Sequence, residues 1–380
     1  MSVLFQEYVF NNGVKARNRL VVAPMTHWSS DAQGHATQTE LDFIRPRAEN
    51  FGIFIAAATA INPQARAFVG EPNACADSDI EHLKKIANTI KAQGTLAILQ
   101  LHHGGKESIA AETEGKDIIA PSADAAKNAR EMSLAEIRET VADFASAAKR
   151  AQAAGFDGVE IHGANNYLLQ QFLSAHHNRR TDEYGGSLEK RMRFPLEVLA
   201  AVQEACRDHP EFIIGYRLTP EEPHTHGLTM ADASALVDAL KSRNLQYIHI
   251  SLQDFYSKAR RGADTHRSRL DLFSDRLKDS GIALIGVGKL SDPKKAEAAM
   301  QTGWVDFVAI GMGVLANPDF ALRAQSGDFS GMRKMLDLSR DAAFHQMPDA
   351  MWQAITSKFI PKPVMFVFRT LGKIRQRLTK

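Results

Sequence analysis

The chain has 380 residues, of which 44% are hydrophobic and 24% charged, and its formal net charge is +2. This composition is that of an ordinary globular protein, and so small a net charge gives no overall field that would attract nucleic acid. Two cysteines, Cys75 and Cys206, are too few for a disulfide framework or an iron–sulfur cluster. The sequence has neither a secretory leader pattern nor an apolar run of membrane length, so we expect a cytoplasmic protein without stable membrane insertion.

The distribution of apolar segments along the chain predicts a hairpin followed by buried parallel strands. Within residues 2–19, Asn11-Asn12-Gly13 separates apolar residues, which predicts a β-hairpin that closes the N-terminal end of a barrel. Eight short runs rich in Val, Ile, Leu and Ala follow, and their near-continuous apolarity is typical of strands buried on both faces. In chain order the predicted strands are Leu20–Pro24, Gly52–Ile61, Thr95–Leu101, Gly158–His162, Phe212–Leu218, Tyr247–Ser251, Ala283–Gly288 and Val305–Gly311.

Amphipathic helices are predicted between most of these strands. The clearest spans Ser133–Ala154, where Ser133 and Glu136 form a capping box. Further helices are predicted over Met230–Ser242 and Asp292–Thr302. Eight strand–helix alternations without a break in composition predict the α/β class, with a single (β/α)8 TIM barrel in place of two domains.

Two stretches fall outside this rhythm. Residues 104–132 form a long polar insertion after the third strand, on the face where active-site loops of such barrels lie. Residues 327–380 predict a C-terminal helical extension packed on the barrel or on a partner subunit, which leaves residues 1–326 as the barrel domain. The extension ends in a basic stretch without acidic residues, and we expect it to contribute to a homodimer. The alternatives are a solvated or packed terminal helix and contact with a membrane surface. Its basic residues are Lys358, Lys362, Arg369, Lys373, Arg375, Arg377 and Lys380.

Residues 157–193 carry the most informative pattern. The short apolar strand from Gly158 to Ile161 delivers His162, Asn165 and Tyr167 at its end. An imidazole, a carboxamide and a phenol so close together suit an oxygen atom that gains negative charge during a reaction, and the phenol is also able to supply a proton. The three residues together therefore predict an active site.

Polar or small residues also end the other predicted strands, where functional groups gather in a TIM barrel. Arg217 lies in an apolar strand, and a buried guanidinium is costly unless it meets an anion or an acceptor. The alternative is that Gln100 and Arg217 form a structural polar network inside the barrel. Glycine turns after the last two strands match the usual phosphate site of this architecture. The candidates are Ala23, Pro24, Met25, Thr26, Trp28, Ala58, Gln100, Arg217, Gly288, Gly311 and Met312.

The run HGANNYLLQQFLS followed by NRRTDEYGGSLEKRMRF closely resembles the old yellow enzyme family of FMN-dependent ene-reductases, and the resemblance covers roughly residues 1–326. It implies bound FMN, with NADPH or NADH as the hydride donor. It also implies that His162 and Asn165 bind the substrate oxygen, that Tyr167 donates the proton and that Trp28 lies beside the substrate. FMN contacts are implied for Ala23, Pro24, Met25, Thr26, Ala58, Gln100, His162, Arg217, Gly288, Gly311 and Met312.

The sequence departs from the family pattern at four points. Met312 stands where an arginine usually lies next to the phosphate, so backbone donors are expected to carry more of that contact, with Lys289 as the substitute cation. Asn166 replaces a common glycine and is expected to narrow the pocket, and Ala175 replaces a common proline. The oxygen-binding pair is His/Asn, whereas many bacterial relatives have His/His.

Four other interpretations of the sequence compete with this one. Gly311–Ala316 fits a GxGxxA dinucleotide fingerprint, but no strand–helix–strand unit follows it. The sequence spacing of several histidines matches no zinc-binding motif, so no metal site is predicted. We expect these histidines on the surface or in substrate loops. They are His102, His103, His176, His177, His224 and His226. A flavin-free lyase or isomerase with His162 as base remains the second functional class, and a non-catalytic flavin carrier the third.

We therefore expect an NAD(P)H oxidoreductase that reduces the activated C=C bond of α,β-unsaturated carbonyl or nitro compounds by a ping-pong mechanism. His162 and Asn165 would polarise the substrate oxygen and Tyr167 would protonate the α-carbon. The cofactor would do the redox chemistry while the protein orients and polarises the substrate.

Overall fold

The computed structural model describes residues 2–357, and its centre is a closed eight-stranded parallel barrel. The barrel strands are β3 (Leu20–Val22), β4 (Ile53–Ala60), β5 (Leu96–His102), β8 (Gly158–Gly163), β9 (Ile213–Leu218), β10 (Tyr247–Ile250), β11 (Ala283–Val287) and β12 (Phe307–Ile310). Six of the eight predicted runs contain their strand and the other two end one residue before it does, at β5 and β8, so the predicted (β/α)8 barrel is confirmed. The last strand pairs with the first through Val308 and Leu20, which closes the cylinder.

Helices surround the barrel and lie in the connections between its strands. Those after the first seven barrel strands are α1 (Gln38–Ala48), α2 (Ile80–Lys91), α3 (Leu134–Ala153), α4 (Leu168–Leu173), α5 (Leu188–Ala205), α6 (Met230–Lys241), α7 (Arg269–Leu277) and α8 (Pro293–Gln301). Those after the eighth are α9 (Met312–Ala316), α10 (Phe320–Ser326) and α11 (Asp349–Thr356). The predicted capping box at the start of α3 is present, because the Ser133 hydroxyl accepts from the Glu136 N–H and the Glu136 carboxylate accepts from the Ser133 N–H.

The predicted N-terminal hairpin is also present. Its two antiparallel strands are β1 (Tyr8–Val9) and β2 (Lys15–Ala16), and Gly13 takes a positive φ of 85° in the turn. Phe10 in this turn is buried and stacks on Phe307 with ring centroids 5.5 Å apart. The hairpin therefore seals the N-terminal end of the barrel and leaves the opposite end for function.

The insertion at 104–132 contains more structure than its polar sequence predicts. It includes β6 (Ile118–Ala120) and β7 (Ala129–Glu131), which pair in parallel, and the β6 residues are buried. The insertion follows β5 and therefore lies at the C-terminal end of the barrel. Its Lys106 contacts His177, and its Glu107 contacts Asn166, the residue between Asn165 and Tyr167.

Beyond α10 the chain returns to the outside of the barrel. The guanidinium of Arg47 on α1 is fully buried and donates to the carbonyl oxygens of His345 and Gln346, each at 2.9 Å. These hydrogen bonds attach the segment before α11 to the first barrel helix. The domain boundary near residue 326 stays a prediction, and the basic tail from Lys358 to Lys380 lies outside the described residues. Within residues 2–357 no helix is both long and apolar enough to cross a membrane.

Candidate active site

His162 ends β8 as a buried, neutral hydrogen-bond donor. Burial lowers its pKa well below the ordinary value, and the charges of His102 and Arg217 act in the same direction. The backbone N–H of Ala164 donates to His162 Nδ1 at 3.3 Å. Because Nδ1 accepts this bond, the single proton of the neutral ring resides on Nε2. His162 therefore offers an Nε2–H donor to whatever lies at the mouth of the barrel.

Tyr167 belongs to a row of rings across this end of the barrel. Its ring lies 5.2 Å from that of His162 and 4.2 Å from that of His102, centroid to centroid. Phe68 contacts the ring of His102 at 6.1 Å and that of Trp28 at 6.2 Å. The row places Trp28 on the same wall as the predicted proton donor, with Phe68 and His102 between them.

The phenol of Tyr167 is held in its protonated form. Burial, followed by the negative charges of Glu71 and Glu107, raises its pKa to about 12, although Arg217 acts in the opposite direction. Glu71 is connected to Tyr167 by His102, which contacts the Tyr167 ring and whose Nδ1 lies 2.6 Å from Glu71 Oε1. Both members of this pair are buried, and Glu71 Oε2 also accepts from the Ala67 N–H at 2.7 Å. Tyr167 is therefore a phenol able to donate at neutral pH.

Two consecutive asparagines carry the chain from the end of β8 to α4. Asn165 and Asn166 have φ values of 58° and 66°, the left-handed region that asparagine tolerates better than other side chains except glycine. The N–H of Asn165 donates to Thr219 Oγ1 at 2.9 Å, and its Oδ1 accepts from the Ser251 hydroxyl at 3.2 Å. This leaves the Asn165 NH2 group as a donor for a ligand. Asn166, in the position of the common glycine, donates from Nδ2 to Glu107 Oε1 at 3.0 Å.

A buried carboxylate inside the barrel orients Gln100. Glu160 Oε1 accepts from Gln100 Nε2 at 2.6 Å, and Glu160 Oε2 lies 2.9 Å from His249 Nδ1. Burial opposes ionisation of Glu160, but His249 and Arg217 outweigh it and hold its pKa below the ordinary value. Because an ionised carboxylate only accepts hydrogen bonds, Gln100 must turn its NH2 group towards Glu160, which leaves its Oε1 as an acceptor for another group.

Arg217 lies on β9 beside this network. Its Nη2 donates to Ser251 Oγ at 3.2 Å, while its Nε is buried without a hydrogen-bond partner among residues 2–357. A buried guanidinium N–H without a partner is energetically unfavourable, so we expect Arg217 Nε to meet a hydrogen-bond acceptor when a ligand is bound. Arg217, Ser251 and Asn165 line one wall of a cleft of about 810 Å³ at the C-terminal end of the barrel. The cleft thus has an arginine with unused hydrogen-bonding capacity on its wall.

Small residues at several strand ends leave room at the barrel mouth. The register of β4 shifts between Ile55 and Ala58, and Ala58 then pairs with Gln100. Directly after β3, Ala23 is buried, whereas Pro24, Met25 and Thr26 are partly exposed. A flat ring system is the kind of ligand that such a surface of small side chains accommodates.

The glycine turns after β11 and β12 differ in how closely they are packed: the first has no room for a side chain, whereas the second borders open space. A Cβ on Gly288 would lie 2.7 Å from the backbone nitrogens of Asp254 and Phe255, and its φ of 129° also requires glycine. A Cβ on Gly311 would meet only Ala23 Cβ, at 3.9 Å. Met312 is 47% exposed, and the Lys289 ammonium lies 3.0 Å from Asp254 Oδ2. Lys289, the cation predicted to replace the missing arginine, is thus already paired with the carboxylate of Asp254.

The expectation that the clustered histidines are surface or loop residues is wrong for His102 and His103. Both are buried, because His102 ends β5, His103 follows it directly, and both pack against the segment that carries Tyr167. The Gly105 N–H donates to His103 Nδ1 at 3.0 Å, and burial lowers the pKa of His103 to about 3. His177 and His224 do line the cleft beside Asn165, as substrate-loop residues would.

Sequence reasoning missed Glu71, Phe68, Glu160, His249 and Ser251 as parts of the site. Glu160 and His249 carried the same signal that identified Gln100 and Arg217, a polar residue within an apolar strand. Glu71 and Phe68 carried none, because each lies in a loop after β4 and contacts His102 only through the folded barrel.

Comparison with known proteins finds related flavin oxidoreductases. The model of the NADH:flavin oxidoreductase / NADH oxidase family matches residues 3–329. A probable NADH-dependent flavin oxidoreductase, YqiG of Bacillus subtilis (strain 168), is 42% identical over 360 residues, which is 93% of this chain and 96% of YqiG. The NADH:acrylate oxidoreductase of Vibrio harveyi is 36% identical over 93% of this chain, but the match spans only 36% of that longer protein.

Solved structures agree with the fold. Morphinone reductase superposes with a TM-score of 0.74 at 32% sequence identity, covering 86% of this chain and 90% of that one.

Proposed function

Because this chain belongs to the NADH:flavin oxidoreductase / NADH oxidase family, also known as the old yellow enzyme family, we propose that it is an ene-reductase that reduces activated C=C bonds. Flavin-dependent oxidation of a nicotinamide nucleotide is the activity of the family. The proposal adds the class of acceptor, an α,β-unsaturated carbonyl or nitro compound, together with FMN as the bound flavin.

The residues at the barrel mouth fit an FMN molecule. The buried Arg217 Nε, which has no partner in the described chain, suits the electron-rich pyrimidine edge, and Gln100 Oε1 suits a ring N–H. Ala23, Ala58 and Gly311 leave space for a planar ring system, and the turns at Gly288 and Gly311 would receive the phosphate. Pro24, Met25, Thr26 and Met312 would complete the contacts. When bound, FMN would supply the centre that accepts a hydride from NADH or NADPH and passes it to the substrate.

The protein's own groups would act on the substrate oxygen and the α-carbon. His162 would donate from Nε2 and Asn165 from its NH2 group to the oxygen that gains negative charge, which stabilises the transition state more than the ground state. Tyr167, protonated at neutral pH, would then give its proton to the α-carbon. Trp28 and Phe68 would flank the substrate on the aromatic wall and help to exclude water.

The protonation state and tautomer of His162 favour this proposal over a flavin-free lyase or isomerase. A lyase or isomerase would need His162 as a base, with a free lone pair on the nitrogen that faces the substrate. Its Nδ1 lone pair accepts from Ala164 and its Nε2 holds the proton, so the ring is suited to donating a hydrogen bond. The low pKa of the ring also makes it a weak base. An oxygen-polarising role is the one that this arrangement supports.

The direct test is an anaerobic assay on the purified protein. We expect flavin absorbance that NADH or NADPH bleaches, followed by reoxidation on addition of 2-cyclohexenone or a nitroalkene and recovery of the saturated product. A protein that purifies and remains without flavin would contradict the proposal. A flavin that NAD(P)H reduces but that no activated alkene reoxidises would retain the family activity and refute the ene-reductase assignment.

A further inference from the structure

We propose that His35, Asp79 and His82 form a binding site for a divalent transition-metal ion, with Zn²⁺ as the best match, at the outer edge of the C-terminal face. His35 lies in the loop between β3 and α1, while Asp79 and His82 lie at the start of α2. None of the three belongs to the residues assigned to flavin or substrate. The site is therefore independent of the proposed catalytic function.

The spacing of the donor atoms suits a tetrahedral ion. Asp79 Oδ1 lies 3.6 Å from His35 Nε2 and 3.5 Å from His82 Nε2. Zinc holds nitrogen and oxygen ligands at about 2.0–2.2 Å, so two tetrahedral ligands are about 3.4 Å apart. One donor atom from each of the three residues lies within 4.8 Å of the other two. A small adjustment of the rings would bring all three donors onto one ion and leave a fourth position for water.

The state of His82 independently indicates a ligand. Its side chain is 5% exposed, and within residues 2–357 neither ring nitrogen has a hydrogen-bond partner. The Asp79 oxygen is near Nε2 but not in hydrogen-bonding geometry. A buried imidazole with both nitrogens unsatisfied is unfavourable, whereas a neutral imidazole is a common ligand of zinc. A metal ion would satisfy Nε2.

The carboxylate is already oriented for this role. Asp79 Oδ2 accepts from the backbone N–H groups of Cys75 and Ala76, at 2.7 and 2.9 Å, which leaves Oδ1 to face the two imidazoles. The nearby thiol of Cys75 does not belong to this cluster of donor atoms, and its Sγ donates to the Ala60 carbonyl oxygen at 3.4 Å.

The loop that carries His35 is pinned in place and leaves a path for the ion. The N–H groups of Gln33 and His35 donate to Asp31 Oδ1, and the Asn73 N–H donates to the Gly34 carbonyl at 3.0 Å. The side chain of His35 is 43% exposed, so an ion can enter from solvent. Asp31 Oδ2 lies 3.8 Å from His35 Nδ1, which is beyond hydrogen-bonding distance. A small rotation of the ring would bring Nδ1 to this carboxylate, the kind of partner that typically orients a metal-ligating histidine.

A second histidine cluster of similar size is the less suitable one. His176, His177 and His224 also bring their donor atoms within 4.8 Å of one another. The ammonium of Lys106, however, donates to His177 Nδ1 at 3.0 Å, and the rings of His176 and His224 stack in parallel with centroids 3.9 Å apart. A nearby cation repels a metal ion, and parallel stacked rings cannot both place an ion in their own plane. This cluster serves instead as the internal control.

The experiment is equilibrium dialysis of the flavin-loaded enzyme against Zn²⁺ buffered by a chromophoric chelator, with metal and flavin quantified. We expect one zinc per chain, with affinity reduced at least about 100-fold in His35→Ala and about 10-fold in Asp31→Asn, whose carboxylate lies outside the ligand set. Asp79→Asn should behave like His35→Ala. His209→Ala, a surface variant, and His224→Ala should bind zinc as the wild type does, and flavin content should be equal in all variants.

His35→Ala decides the outcome, since this side chain is half-exposed and its loss should not prevent folding. A wild-type enzyme that takes up no zinc at micromolar concentrations would overturn the proposal. So would zinc binding that survives His35→Ala or that is lost in His224→Ala. The C-terminal residues 358–380 contain no His, Cys, Asp or Glu, so they cannot supply a competing site of this kind.

Discussion

The ring of His102 meets the ring of Tyr167 edge to face, with the two centroids 4.2 Å apart, and the far side of the same imidazole is held by Glu71. Three residues from three different loops or strand ends are thereby linked into one unit. The unit gives the proposed proton donor a fixed position and a buried negative charge behind it. The position and the raised pKa of Tyr167 therefore depend in part on His102 and Glu71.

The first prediction concerns Glu71→Gln. Glu71 is one of the causes of the raised pKa of Tyr167, about 12, because its negative charge disfavours the phenolate. Proton donation needs the protonated phenol, so activity is lost as pH rises through this pKa. Removing the charge lowers the pKa and moves the alkaline limb of the enone-dependent reaction to lower pH. The measurement is the rate of flavin reoxidation by an enone across the neutral to alkaline range.

Glu107→Gln is the matched control for that experiment. Glu107 acts on Tyr167 in the same direction but more weakly, so its variant should show the smaller displacement. If Glu71→Gln instead lowers the rate by one factor at every pH and leaves the limb in place, Glu71 only positions His102 and the electrostatic argument fails.

The second prediction concerns Tyr167→Phe. If the phenol is the proton donor, reduction of bound flavin by NAD(P)H should be nearly unchanged, and reoxidation by an enone should slow by roughly 10²–10⁴-fold, the usual contribution of general acid catalysis. Stopped-flow absorbance separates the two half-reactions. Nitroalkenes should suffer less, because the nitronate formed after hydride transfer persists long enough to be protonated by water. Equal slowing of both half-reactions would identify Tyr167 as a structural residue.

The third prediction concerns Arg217→Lys, which keeps the charge and removes the planar fork of donors. Its Nε has no partner among residues 2–357, so we expect this group to bond the flavin. Loss of one charge-assisted hydrogen bond costs about 1.5–3 kcal/mol, or roughly 10–150-fold in the flavin dissociation constant. Fluorescence titration of the deflavinated protein measures this constant.

The control is Arg260→Lys, which changes an exposed arginine on the same cleft and should leave flavin binding unchanged. Unchanged affinity in Arg217→Lys would assign Arg217 to the structural network with Glu160.

The sequence was sufficient to predict the elements whose burial is uniform. Strands such as β4, β8 and β9 are largely apolar because both of their faces are buried. His162 lies at the end of β8, and Asn165 and Tyr167 follow that strand. It was insufficient where distant loops meet. Glu71 reaches His102 only because the loop after β4 folds over the end of β5. His35, Asp79 and His82 are likewise brought together by a loop pinned to Asn73, which no spacing rule describes.

The last prediction concerns the phosphate end of the proposed flavin site. Met312 directly follows Gly311 at the end of β12, where an arginine would place a cation, and Lys289 is 3.0 Å from Asp254 Oδ2. If the backbone N–H groups of these turns carry most of the phosphate contact, one added guanidinium should improve flavin binding. We expect Met312→Arg to tighten FMN binding roughly 10–150-fold, corresponding to about 1.5–3 kcal/mol for one charge-assisted contact.

Met312→Gln controls for the change in side-chain polarity and should leave the FMN dissociation constant within about a factor of two, because it adds no charge to meet the phosphate. Riboflavin, which lacks the phosphate, supplies the second control and should bind wild type and Met312→Arg equally. If FMN binds the two proteins equally, the phosphate is already neutralised. Lys289→Ala would then weaken FMN binding, which requires that the ammonium leave Asp254 when the phosphate arrives.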